Sequence, residues 1–121
     1  NMKRDFDLIR NILLQIEDSP STNLTIGNFI ELAPENILAY HIHLIYEAGF
    51  IEAYDITCIG NNYPMYQIQW LTNAGHDYLD AICNDNIWKD TKDNLLKIGG
   101  SASLEVIKTI ASNIALKIIG L

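Results

Sequence analysis

Residues 34–51, PENILAYHIHLIYEAGFI, constrain this chain more than any other stretch. Apolar and aromatic residues recur there at helical spacing, and the run stops at Gly49 before continuing into Phe50 and Ile51. The spacing predicts a helix whose inward face holds Ile37, His41, Leu44, Ile45 and Ala48. Pro34 suits a first turn, where its missing N–H is no loss. Gly49 suits the left-handed conformation that ends a helix, and the two apolar residues after it are expected to enter the core as a strand. A helix that passes into a strand this abruptly fits an α+β fold.

The flanking segments supply the rest of such a fold. Residues 3–17 read as a helix with Leu8, Ile9, Ile12, Leu13 and Ile16 as its buried stripe. Asp5 and Asp7 suit the positive end of its dipole. Asp18, Ser19, Pro20 and Ser21 end it. Residues 24–26 are expected to form a short strand and residues 29–32 a stunted helix, because Thr25, Gly27 and Asn28 are poor helix formers. Residues 51–59 alternate as a strand, Gly60 to Pro64 form a turn cluster, and residues 65–71 return. Tyr66, Ile68 and Trp70 are expected on one face of this hairpin, with Trp70 meeting Leu44 inside. Thr72 is expected to cap a helix lined by Tyr78, Leu79 and Ile82. Residues 85–98 predict a further helix, with Trp88, Thr91, Leu95 and Ile98 on one face. Gly99 and Gly100 break the chain. Ser101 or Ser103 then opens a last helix to about residue 119, striped by Ile107, Ile110, Ala111, Ile114 and Ile118.

Charge is distributed unevenly. The chain of 121 residues carries a net charge of −7, yet its eight basic residues, Lys3, Arg4, Arg10, Lys89, Lys92, Lys97, Lys108 and Lys117, all lie towards the ends. Between Asn11 and Trp88 there is no Lys or Arg. That interval holds ten acids: Glu17, Asp18, Glu31, Glu35, Glu47, Glu52, Asp55, Asp77, Asp80 and Asp85. With 49% apolar and 19% charged residues the chain is a folded protein and not a disordered tail. Its richest apolar run, residues 102–121, is interrupted by Glu105, Lys108 and Lys117, so no membrane span and no membrane partner is expected. Lys3, Arg4, Asp5 and Asp7 occupy the place of a signal-peptide core, and two cysteines are too few for a disulfide scaffold. Met2 is expected as the native start, and a cytoplasmic location with two reduced thiols follows.

The segment HIHLIYEAGFI resembles the end of the recognition helix of winged-helix repressors, whose usual form is H-L-x-x-L-x-E-A-G-L-V. LTNAGHDYL resembles the L-T-x-x-G-x-x-x-L by which many winged-helix regulators leave the wing. With the opening M-K-R-D-x-D-L-I-R and the ending from DNIWKDTKDNLLKIGG onward, nearly the whole chain resembles domain-of-unknown-function family 2513, small bacterial and prophage-encoded proteins. The resemblance implies a winged helix-turn-helix-like domain over residues 1–84, its hairpin the wing. Residues 85–121 add two C-terminal helices as an oligomerisation element. It carries no activity and no catalytic residues to transfer.

No residue pattern announces chemistry. His41 and His43 point to different faces of one helix and cannot share a metal. His41, on the buried stripe, is expected to bond a backbone group or a Tyr hydroxyl. His43 with Glu47, or His76 with Asp80, would each need two more ligands to hold a metal. Cys58, in a strand, and Cys83, near a helix end, read as small apolar fillers. Gly-rich phosphate loops, a nucleophile elbow and zinc spacings are all missing. No catalytic, metal or cofactor site is expected, and the chain is read as no enzyme.

Tyr40, His43 and Glu47 are the expected partner-facing residues of the central helix. In a major groove they would read bases, but groove binding draws on Lys and Arg to neutralise phosphates, and here Glu35, Glu47, Glu52 and Asp55 would be repelled. The favoured reading is a non-enzymatic regulatory or interaction module that binds protein. It is expected to form a homodimer through Ile107, Ile110, Ile114 and Ile118. The alternative is a DNA-binding transcriptional regulator whose basic surface comes from Arg4, Arg10, Lys89, Lys92 and Lys97.

Overall fold

The structure is a computed structural model that describes residues 2–121. These residues form an α+β fold: α1 (Phe6–Asp18), a 3-10 helix (Ile26–Phe29), α2 (Glu35–Glu47), β1 (Ile51–Asp55), β2 (Tyr66–Leu71), α3 (Asn73–Ile82), α4 (Asp85–Leu96) and α5 (Leu104–Ile118). The chain divides into two compact units, one running to His76 and one from Asp77 to Leu121, so α3 straddles the division.

In the first unit, Asp5 caps α1, its Oδ1 accepting the Leu8 N–H at 3.0 Å. The whole expected stripe of α1 is buried, with Phe6 added at its start. Leu24 joins the hairpin by a single bridge: its N–H donates to the Ile68 carbonyl at 2.9 Å and its own carbonyl accepts from Ile68 at 2.7 Å. The expected strand at 24–26 is therefore one residue long, and the helical turn begins earlier than expected, at Ile26. Asn28 Oδ1 accepts the Thr25 N–H at 2.9 Å, so a poor helix former serves here as a local cap. This turn sets Phe29 fully inside.

The inward face of α2 is rotated from the expected one. Leu38, Ala39, His41, Ile42 and Ile45 are buried; Ile37 and Leu44 are half-buried flanks and Ala48 is exposed. The helix contacts α1, the 3-10 helix and β1, so its buried sector is centred between these neighbours. Pro34 stands just before the helix and accepts the Ile37 and Leu38 N–H groups at 3.1 and 3.0 Å. Gly49 ends it as expected, at φ 76°. The Phe50 N–H reaches back to the Ile45 carbonyl at 3.2 Å and the Gly49 N–H to the Tyr46 carbonyl at 3.0 Å, which closes the end of α2.

Strands β1 and β2 pair antiparallel from Ile51 opposite Leu71 to Asp55 opposite Tyr66. Between Glu52, opposite Trp70, and Ala53, opposite Ile68, the register shifts, leaving Gln69 as the extra residue of a bulge. The bulge reverses the alternation of β2. Tyr66, Ile68 and then Leu71 are buried, while Trp70 turns outward with 52% of its surface exposed. Trp70 does not meet Leu44 in the core, because a one-residue insertion sends every later side chain to the other face.

The step from β2 to α3 is tight. Thr72 donates its backbone N–H to the Phe50 carbonyl at 3.0 Å and its hydroxyl to the Gly49 carbonyl. The same hydroxyl oxygen accepts the Gly75 N–H at 3.1 Å, so Thr72 caps α3 as expected. A Cβ on Gly75 would stand 2.1 Å from the Phe50 carbonyl oxygen, so only glycine fits.

In the second unit, Tyr78, Leu79 and Ile82 of α3 are buried. Asn84 caps α4, accepting the Asn86 and Ile87 N–H groups at 3.0 Å each. Trp88, Thr91 and Leu95 form the buried face of α4; Ile98 lies beyond its end and is exposed. Gly99 and Gly100, at φ 96° and 86°, turn the chain, and Ser103 opens α5 by accepting the Val106 N–H at 3.1 Å. Helices α4 and α5 then pack on each other.

Candidate functional site

Of the expected partner-facing residues, only Glu47 is exposed; Tyr40 and His43 are half-buried. For His43 the reason is the hairpin. His43 Nδ1 stands 2.7 Å from the Tyr66 hydroxyl, and the two rings stack with centroids 5.9 Å apart and planes 20° apart. Tyr46 stacks on the same Tyr66 ring at 4.6 Å. Glu47 faces the other ring nitrogen of His43, Nε2, at 3.4 Å, which favours a hydrogen there and leaves Nδ1 to accept the Tyr66 O–H. Burial, then the nearby Asp55, Tyr46 and Glu47, push the Tyr66 phenol above its ordinary range, so it stays a neutral donor. Tyr40 turns its ring edge-on to His41, centroids 5.5 Å apart.

The hairpin is tied to the start of α2 as well. The Tyr63 hydroxyl donates to Glu35 Oε1 at 2.6 Å, and that bond raises the tyrosine's pKa. Asp55 Oδ1 accepts both the Thr57 hydroxyl at 2.6 Å and the Thr57 N–H at 2.9 Å, which hold its carboxyl below the usual range. Sequence reasoning missed the bonds of Tyr63 and Tyr66 to α2, and the stacking of Tyr46, a residue of α2 itself, on Tyr66. The signal present, two hairpin tyrosines after an amphipathic helix, does not specify which of its residues they meet.

His41 is a satisfied core residue, as expected. Its Nε2 accepts the Asp5 N–H at 2.8 Å and its Nδ1 lies 2.8 Å from the Ile37 carbonyl, so Nδ1 carries the hydrogen. His76 does not pair with Asp80; its Nδ1 stands 3.4 Å from Glu17 Oε2. Cys58 and Cys83 are both exposed and are not core fillers. Cys58 falls in the hairpin loop because β1 ends at Asp55. Among the described residues no group of three or more His, Cys, Asp or Glu side chains is placed to hold a metal ion. No helix among them is long and apolar enough to cross a membrane.

The expected oligomer stripe is divided. Ile107, with Ala111, is fully buried within its own chain, because α5 packs on α4. Ile110 and Ile114 are half-buried, and only Ile118 is exposed, at 68%. Of the five expected basic-surface residues, Lys89 pairs with Asp93 at 3.0 Å. The Arg4 guanidinium lies over the Phe6 ring at 5.3 Å and the Lys92 ammonium over Trp88 at 5.7 Å. Arg4 and Arg10 belong to the first unit and the three lysines to the second. A shallow groove beside α4 and α5 is lined by Asp90, Asp93, Asn94, Ile114, Lys117 and Ile118; another beside α1 is lined by Asn11, Leu14, Gln15, Glu17, Asp18 and Leu32.

No solved structure matches the chain. An uncharacterized protein of Haemophilus influenzae is 35% identical over 115 residues, which span 93% of this chain and 95% of that protein. The family model described as Hypothetical protein (DUF2513) matches residues 3–102, from before α1 to just before α5. On the model match and the relative together, the chain belongs to the DUF2513 family.

Proposed function

We propose that this chain is a non-enzymatic, winged-helix-like regulatory module that binds another protein through its acidic first unit and self-associates through α5. The order of α1, the Leu24 bridge, a short helix, α2 and a hairpin follows the winged-helix succession, with a 3-10 helix in the second position. The observation that carries the reading is the absence of any Lys or Arg from Asn11 to Trp88, the interval that contains α2 and the whole hairpin. A surface of that charge repels phosphates and attracts protein cations. The bonding of His43 to Tyr66 supports the same reading, since a groove-reading helix needs such side chains free. For self-association the exposed flank of α5 remains, with Val106, Leu116, Ile118 and Ile119 each at least 43% exposed.

Titration of labelled random-sequence duplex at low salt tests the charge argument. No binding tighter than about 100 µM is expected even there, a value at the weak end of non-specific affinity at physiological salt. Micromolar binding with a steep salt slope, lost on Tyr40→Ala or His43→Ala, would establish the DNA-binding alternative instead.

A further inference from the structure

We propose that the outward face of the β1–β2 hairpin docks a Lys- and Arg-bearing protein segment, with Trp70 and Tyr54 as its aromatic contacts and Glu52 as its counter-charge. The inference rests on the reading of the chain as a protein-interaction module and names the partner's chemistry and its place.

A two-stranded sheet has two faces. The inner one here buries Ile51, Tyr66, Ile68 and Leu71. The outer one carries Glu52 and Tyr54 from β1 and, directly across, Trp70 and Gln67 from β2. Trp70 and Tyr54 are 52% and 58% exposed, and Glu52 is exposed on the same face, directly across from Trp70. Trp70 reaches this face only through the bulge at Gln69; on an uninterrupted strand it would be interior. Large aromatic side chains left outward on a small sheet are what binding surfaces use as anchors.

The surrounding charge selects the occupant. Aromatic faces also stack nucleic-acid bases, but such sites set cations beside the rings to hold the backbone. Here the unit has no Lys or Arg after Arg10, and the hairpin contributes only acids. An anionic membrane surface is repelled for the same reason. A second copy of this face would bring another Glu52 and no Lys or Arg to pair with it. Lysine and arginine side chains satisfy both features at once: the cation lies over the indole or phenol ring and pairs with the carboxylate, while the stem covers the ring's apolar edge.

Selection of a displayed library of random 12-residue peptides on the full chain tests this, with random duplex DNA assayed beside it. The enriched peptides are expected to carry excess Lys and Arg. Their affinity should fall at least tenfold on Trp70→Ala and on Glu52→Lys, and weaken as salt rises. Thermal unfolding of each variant checks the fold; if Trp70→Ala melts early, Tyr54→Ala and Glu52→Lys carry the comparison. Peptides without a cationic excess, or basic peptides that bind the variants as well as the parent, would overturn the proposal and leave the interaction module standing. Failure to enrich any peptide overturns the proposal too. If duplex DNA then binds, the interaction module falls with it.

Discussion

His41 holds two elements together with one ring. Its Nε2 accepts from the backbone of Asp5, which itself caps α1, and its Nδ1–H is satisfied within α2. The His41 ring is itself 1% exposed, so its two nitrogens depend on these partners rather than on solvent. His41→Leu keeps the volume but orphans the Asp5 N–H, and is expected to cost about 1–3 kcal/mol in urea unfolding. A change near zero would mean that the first turn of α1 does not depend on this bond. Tyr66 makes a second prediction. Folding raises its pKa above the ordinary 10.0, chiefly by burial. The unfolded chain therefore ionises first. The stability that a neutral Tyr66 lends is complete below that ordinary value and drains as pH climbs through the raised one. Stability measured against pH should decline on the alkaline side, and Tyr66→Phe should shrink that decline. An identical alkaline decline in the variant would assign it to other groups.

At the scale of elements, the junctions carry more information than the helix interiors. Gly75 sits in the first turn of α3 against the Phe50 backbone, where an added Cβ would meet a carbonyl oxygen at 2.1 Å. Backbone cannot rotate aside as a side chain can. Gly75→Ala is therefore expected to destabilise by about 1–3 kcal/mol or more, against a mild effect for alanine in an ordinary helix. Chemical denaturation reads the difference, and a stabilised variant would mean that α3 can shift away from Phe50. The bulge in β2 gives a paired test. Leu71→Ala, which empties a buried position, should cost about 2–5 kcal/mol. Trp70→Ala, on the exposed face, should cost far less despite the larger side chain. Equal losses would place the bulge elsewhere.

For the whole molecule, the charge division and the two-unit division are separate facts. The acidic interval covers the hairpin and α2, whereas α4 and α5 carry most of the lysines alongside Asp90, Asp93 and Glu105. Self-association through the exposed flank of α5 predicts that light scattering gives twice the chain mass of 13.7 kDa. Ile118→Glu combined with Ile119→Glu should return a folded monomer, since both residues are at least 68% exposed and support no interior. Ile107→Glu, by contrast, should unfold the α4–α5 pair, because Ile107 is fully buried there. A parent chain that scatters as a monomer would remove self-association from the proposed function.

Periodicity and punctuation by themselves determined where α1 to α5 and the hairpin fall, though not the 3-10 turn at Ile26–Phe29 or the end of β1 at Asp55. The stripe of α1, the glycine end of α2 at Gly49, the hairpin after it and the caps at Thr72 and Ser103 are local properties, fixed by spacing and by backbone conformations that only certain residues adopt. The charge gap from Asn11 to Trp88 is a property of the sequence too. Tertiary structure decided which way those elements face. The buried sector of α2 centres on Leu38 and Ile42 because its neighbours stand on more than one side, which no period within the helix encodes. Trp70 faces out because one inserted residue reverses a strand's alternation, and a bulge leaves no signature in the apolar pattern. His43 is half-covered because Tyr66, distant in sequence, reaches it. Ile107 is buried because the Gly99 and Gly100 turn lets α5 pack on α4. Each of these outcomes depends on contacts between segments distant along the chain, and only the folded chain holds that information.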